Sequence, residues 1–248
     1  MAEKSPIPAL IPFYKDQRQL GLCLDALRKQ TYPVDPWVHD NSVQNLYYTI
    51  ALNLLLRRAI REGQKYALVL TQDVYLRPDA MENLVKFMDE HPRCALAGLK
   101  QVLPDDQDII VHGGVTTSFP TGVHLSGRKS LGQCAVSAKM PWTNGACIMA
   151  RIDAVLDFGL MDENMKMLCS DSDWSYTARA RGWEVWYCAS AEAIHECGVS
   201  SKPASPQLEP IFRADLQYLI EKWVGSTLFS RLQAEFQPRL AVGKYMRV

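Results

Sequence analysis

The chain has little that would tie it to nucleic acid, a membrane or the cell exterior. Lys and Arg total 27, as do Asp and Glu, so no charge excess favours a polyanion or an acidic bilayer. No apolar run approaches the ~18 residues of a membrane-spanning helix. The opening "MAEKSPIPALIPFYKD" lacks the apolar centre of a secretory signal. The seven cysteines (23, 94, 134, 147, 169, 188 and 197) include no C-x-x-C pair. Such an odd, scattered set fits reduced thiols better than a disulfide framework. A soluble, cytoplasmic protein is therefore expected. Several catalytic signatures are missing as well. There is no G-x-S-x-G and no G-x-G-x-x-G or phosphate-loop spacing, and "HEC" at 195–197 lacks the second histidine of zinc proteases.

What is present is an ordinary globular composition, 48% hydrophobic and 22% charged over 248 residues, enough for one large α/β domain or two small ones. "ALIPFY" (9–14) reads as a buried strand. Leu20, Cys23, Leu24 and Leu27 then recur at helical spacing between Gln17 and Gln30. "DPWVHDNS" (35–42) holds a short strand. Residues 46–63 form a helix stopped by Gly63, "KYALVL" (65–70) a strand, 78–92 a helix with Pro78 in its first turn, and 94–100 a strand. Strands alternating with helices predict an α/β fold with a mainly parallel central sheet flanked by helices. In such sheets ligands bind beyond the carboxyl ends of the strands. That rule gathers Pro12–Tyr14, Asp40–Ser42 and Asp73 on one rim.

The second half is less periodic. Strands are expected at 108–115 and 143–151, a short helix at 152–159, and irregular chain over 116–141, where "VHGGV" marks a tight turn at its start. A helix at 172–182 is expected with Asp171 or Ser172 as cap and Gly182 as stop. One or two strands follow at 183–195, and helical stretches between 207 and 236.

Three groups stand out chemically. Asp73 follows the apolar "YALVL" with no Lys or Arg after it until Arg77. It reads either as a turn residue or as a ligand for a hard divalent cation carried in with a diphosphate. Asp171 and Asp173 read as a cap with a first-turn dipole partner, or one of them as a general base. His195, at a strand end, is either a metal ligand or a structural histidine.

Laid end to end, "IPFYKD", "LRKQTYP", "HDNS", Asn53, "LVLTQDVYLRPDAM", "GGV", "NGACIMAR", "FGLMDE", "SDSDW", "ARARGWEVWY" and "AEAIHE" resemble the family 2 glycosyltransferases of GT-A type, particularly their rhamnosyltransferase-like members. The resemblance covers about residues 8–200 and implies an inverting transfer of a sugar from a nucleotide-diphospho-sugar to an acceptor hydroxyl. It assigns Asp171 as catalytic base, and Pro12, Phe13, Tyr14, Asp40, Gln72 and Asp73 to the nucleotide. Asp73 and His195 would hold Mn2+ or Mg2+, and Trp142, Asn144, Gly145 and Asp173 would meet sugar or acceptor. The donor would carry UDP, dTDP or GDP, and the acceptor would be a carbohydrate, lipid-linked sugar, protein or small molecule. A nucleotide-binding half at about 8–100, an acceptor half at about 101–200 and a C-terminal helical extension at 206–248 would follow, the last covering the acceptor site or mediating self-association as a homo-oligomer. The chain departs from the family pattern at Lys15, where Asn is usual, at Ser170, where Glu precedes the base, at Thr177, where Arg is common, and at Gln72, which leaves one carboxylate in the metal element. These departures keep a second reading open, a sugar- or nucleotide-binding relative that has lost catalysis.

Overall fold

The computed structural model describes residues 4–115, 124–132, 134–197, 206–226 and 230–231. Strand β1 (Ile7–Phe13) turns Ile7, Ala9, Ile11 and Phe13 into one core and Leu10 into another. This is the period of two that a strand covered on both faces requires. It pairs in parallel with β2 (Val34–Asp40) and β3 (Tyr66–Leu70), reached through helices α1 (Gln17–Arg28) and α2 (Tyr47–Arg61). β4 (Val74–Leu76), α3 (Ala80–Glu90) and β5 (Cys94–Val102) follow. The remaining elements are β6 (Ile109–His112), β7 (Gly127–Arg128), β8 (Ala138–Lys139), β9 (Cys147–Arg151), α4 (Ile152–Phe158), α5 (Ser170–Ala180), β10 (Glu184–His195) and α6 (Glu209–Trp223).

The sheet runs β2-β1-β3-β9-β5-β10-β4, with β6 beside β5, β7 beside β6, and β8 beside β10. β1, β2, β3, β5 and β10 point the same way, as the strand–helix alternation predicts. β9 is inverted between β3 and β5, and β4, β6 and β8 pair antiparallel, so the sheet as a whole is mixed. The inversion has a local cause. No α-helix lies between β5 and β9 among the described residues, so nothing carries the chain back to the far edge before β9 begins.

Helices α1 and α3 cover one face of the sheet, and α2, α4 and Trp174 of α5 cover the other. Truncating fully buried Leu84 of α3 to Ala would cost about 2–5 kcal/mol. A third cluster joins Met165, Cys169 and Tyr176 to Leu219 and Trp223, so α6 packs into the body of the protein. Of the helical stretches expected at 207–236, α6 is one; residues 227–229 and 232–236 lie outside the described residues, as do 116–123 and 133 of the stretch expected to be irregular.

One boundary differs from expectation and matters to the site. Helix α5 starts two residues earlier than the sequence suggested. Its N-cap is Cys169 in a left-handed conformation (φ 65), so both Asp171 and Asp173 lie in the first turn and neither is the cap. The segment 183–195, expected as one or two strands, is the single strand β10, with register shifts between Glu184 and Val185 and between Cys188 and Glu192. No helix among the described residues is long and apolar enough to cross a membrane.

Candidate active site

The carboxyl ends of β1, β2 and β3 meet through polar contacts. The Tyr14 backbone N–H donates to Gln72 Oε1 at 2.7 Å, and Gln72 Nε2 donates to Gln19 Oε1 at 3.2 Å. Lys15, held at φ 58, donates its N–H to Ser42 Oγ at 3.0 Å, and the Ser42 N–H reaches Asp40 Oδ1 at 2.7 Å. Those Ser42 hydrogen bonds hold the exposed Asp40 carboxyl below its ordinary value. Tyr14 is exposed and Pro12 half-buried at the same rim. Phe13, expected among the nucleotide contacts, is 2% exposed and packs in the core. Strand alternation turns its ring inward, and only its carbonyl, accepting from Asn41 N–H at 2.8 Å, lies at the rim.

Asp73 caps no helix, since the α3 N-cap is Asp79. One carboxylate oxygen accepts from Thr71 Oγ1 at 2.6 Å, and the other lies 3.3 Å from His195 Nε2. Burial pulls the His195 imidazole down, but hydrogen bonds to Asp73 and Cys197 outweigh it and raise the ring to about 9. Loss of the Nε2 proton would leave a ring nitrogen and a carboxylate oxygen side by side. Their chemistry fits a hard cation. Metal–ligand bonds of about 2.1 Å place neighbouring octahedral ligand atoms roughly 3 Å apart, close to the separation here. Among the described residues no group of three or more His, Cys, Asp and Glu forms a closed metal cage. Beside them Glu196 is clamped by Arg18 at 2.9 and 2.7 Å and by Gln19 at 3.0 Å, which holds its carboxyl at about 2.

Asp171 projects from the first turn of α5 toward the loop before β9. Oδ2 accepts from the Gly145 N–H at 2.7 Å and Oδ1 from the Ser172 N–H at 2.8 Å, yet burial still lifts its carboxyl above the ordinary range. The Gly145 carbonyl accepts from the Tyr48 hydroxyl at 2.5 Å. A Cβ at 145 would sit 2.7 Å from that hydroxyl and 3.1 Å from Asp171 Oδ2, so any larger residue would force the hydroxyl to shift. Next to it Asn144 Oδ1 accepts from the Ala146 N–H at 3.0 Å and from Gln101 Nε2 at 3.2 Å. Trp142 is 4% exposed, and its indole N–H has no hydrogen-bond partner among the described residues.

The structure therefore brings Asp73, His195, Asn144, Gly145 and Asp171 into one hydrogen-bonded neighbourhood. Asp173, expected at a sugar or acceptor contact, turns the other way. It is 2% exposed and bound by Trp223 Nε1 at 2.7 Å and Lys222 Nζ at 2.9 Å, so its carboxylate holds α6 and does not face an open site. Gln101, Thr71 and Tyr48 were not foreseen. Gln101 is fully buried, yet in sequence it merely follows the charged Lys100 that ends "CALAGLK", which leaves no trace of that burial. Tyr48 and Lys222 left none.

No protein-family model and no curated protein matches the sequence. Solved structures do match. S. aureus TarS superposes with a TM-score of 0.60 at 14% identity, over 95% of this chain and 43% of its own. GalNAc-T7, solved with UDP, GalNAc and Mn2+, gives 0.64 at 12% over 100% of this chain and 53% of its own. The mannosyltransferase PcManGT from Pyrobaculum calidifontis, solved with GDP-Man and Mn2+, gives 0.55 at 11% over 99% and 77%. The chain spans about half the length of the first two. At such identities the likeness is one of fold, and the fold is the GT-A type of the glycosyltransferases.

Proposed function

We propose that this chain is an inverting glycosyltransferase. It moves a hexosyl or deoxyhexosyl group from a UDP-, dTDP- or GDP-sugar to an acceptor hydroxyl, with residues 8–100 holding the nucleotide and 101–200 the acceptor. The observation that carries the reading is the shared rim. A strand-end carboxylate with an adjacent histidine and a partly buried carboxylate of raised pKa meet at one edge of a GT-A sheet. Solved neighbours with UDP or GDP-Man and Mn2+ support the donor class and the metal.

In this mechanism Asp171 accepts the proton of the acceptor hydroxyl as its oxygen attacks the anomeric carbon. The bond from that carbon to the diphosphate oxygen breaks, and the nucleoside diphosphate leaves from the opposite face, inverting the configuration. A Mn2+ or Mg2+ ion held by Asp73 and His195 would supply Lewis-acid stabilisation to the leaving diphosphate. The Gly145 and Ser172 amides favour the ionised form of Asp171 against its burial and orient the carboxylate, and Asp40, Pro12 and Tyr14 contribute to the nucleoside pocket.

The test is a transfer and hydrolysis screen of UDP-, GDP- and dTDP-sugars with Mn2+. At least one donor should be turned over, chelator should abolish that turnover, and Asp171→Asn should reduce it by roughly 10²–10⁴-fold. Undiminished turnover in the Asn variant would refute the base. One observation favours the second reading, a binding relative without catalysis. Ser170, where the family carries a glutamate, is 1% exposed and brings no charge to the base. Metal-dependent binding of nucleotide with no turnover of any donor would select it.

A further inference from the structure

A path of hydrogen bonds through Gln101 joins the candidate metal pair to the loop that holds the candidate base, and its direction is fixed at one end by the backbone. The Ala146 N–H can only donate, so Asn144 Oδ1, 3.0 Å away, must accept. Gln101 Nε2 lies 3.2 Å from the same oxygen and must donate to it. Its other amide atom, Oε1, then faces His195 Nδ1 at 2.7 Å and must accept. Turning the Gln101 amide round would set two oxygens against each other, and turning Asn144 as well would set its NH2 against the Ala146 N–H. Either reversal leaves an unmade hydrogen bond in a place where Gln101 is fully buried and water cannot replace it.

We propose that Gln101 is a positioning residue that fixes a proton on His195 Nδ1, so that Nε2 is the atom presented beside Asp73 to a divalent cation. The inference rests on the reading of Asp73 and His195 as cation ligands. A ligating histidine needs its second ring nitrogen held by an outer partner to set tautomer and ring plane. Gln101 supplies that partner from the neighbouring strand. The sheet places it there, because Ala193 of β10 pairs with Gln101 and His195 follows two residues later on the same face. The next amide along the loop, Gly145 N–H, holds Asp171. Residues 144–146 therefore orient both the histidine and the base.

The experiment is calorimetry of UDP and GDP binding, with MnCl2 and with chelator, for the wild-type chain, Asp73→Ala and Gln101→Met. Gln101→Met keeps size and removes both hydrogen bonds. It is expected to weaken Mn2+-supported nucleotide binding by roughly 10–100-fold while leaving binding in chelator within about twofold. Where the wild-type chain needs Mn2+ and Asp73→Ala removes that dependence, unchanged Mn2+-supported binding in Gln101→Met overturns the role of Gln101 alone. Where the wild-type chain binds equally with Mn2+ and with chelator, the metal reading itself falls, and this inference with it. Should Gln101→Met fail to fold, ¹⁵N-imidazole spectra of the wild-type chain with MgCl2 and UDP or GDP decide the matter. A proton on His195 Nδ1 sustains the proposal, and a proton on Nε2 overturns it.

Discussion

Gly145 shows how little room the site has. Its missing side chain lets the Tyr48 hydroxyl and the Asp171 carboxylate approach the same peptide, and any Cβ would press on both. Gly145→Ala should therefore leave the fold intact by circular dichroism and reduce kcat by about 10²-fold, the usual cost of displacing a catalytic group by an ångström. The burial that lifts Asp171 sets its pH behaviour. A base must be ionised, so activity falls as pH drops through its carboxyl value. Because that value is raised, the acid limb of kcat/KM should lie above the range of an ordinary aspartate and vanish in Asp171→Asn. The placement of Asp73, Asp171 and His195 where regular elements start or stop was legible in the sequence, because element ends are readable. Gln101 was not, since its two partners lie 43 and 94 residues away and only the folded sheet brings them near.

Helix α6 acts on the site through what it holds. Asp215, 2% exposed, accepts backbone N–H groups from Lys166, Met167 and Leu168 at 2.9, 2.8 and 2.8 Å, fixing the loop that leads into α5. Lys222 bridges Asp162 and Asp173. Burial pulls its ammonium down, but the two carboxylates prevail and hold it above its ordinary value. Asp215→Ala orphans three amides at once and should cost about 3 kcal/mol. For a chain of this size that is a drop of roughly 6–12 °C in Tm, read by thermal melting, with loss of activity following the loop. The helix itself was visible as a periodic stretch, but its task was not. A carboxylate on an amphipathic helix looks the same in sequence whether it meets water or a distant loop.

At the scale of the whole molecule, the co-directional strands were legible because each of β2, β3, β5 and β10 directly follows a helix with punctuation at its ends. The inverted β9 was not, since strand direction depends on how the chain returns and not on the strand's own residues. The register shift in β10 is as decisive. Between partners Leu99 and Lys100 of β5, three residues of β10, Ala189 to Ala191, have no counterpart. An odd excess exchanges the two faces of a strand, so every residue beyond it points opposite to where uninterrupted pairing would send it. His195 faces Gln101 and Asp73 by virtue of that count. Losing or gaining one codon in this stretch would keep the sheet and its core strands while turning the histidine away. Among close homologues, the length of this three-residue excess is therefore a sharper mark of a working site than the presence of the histidine itself.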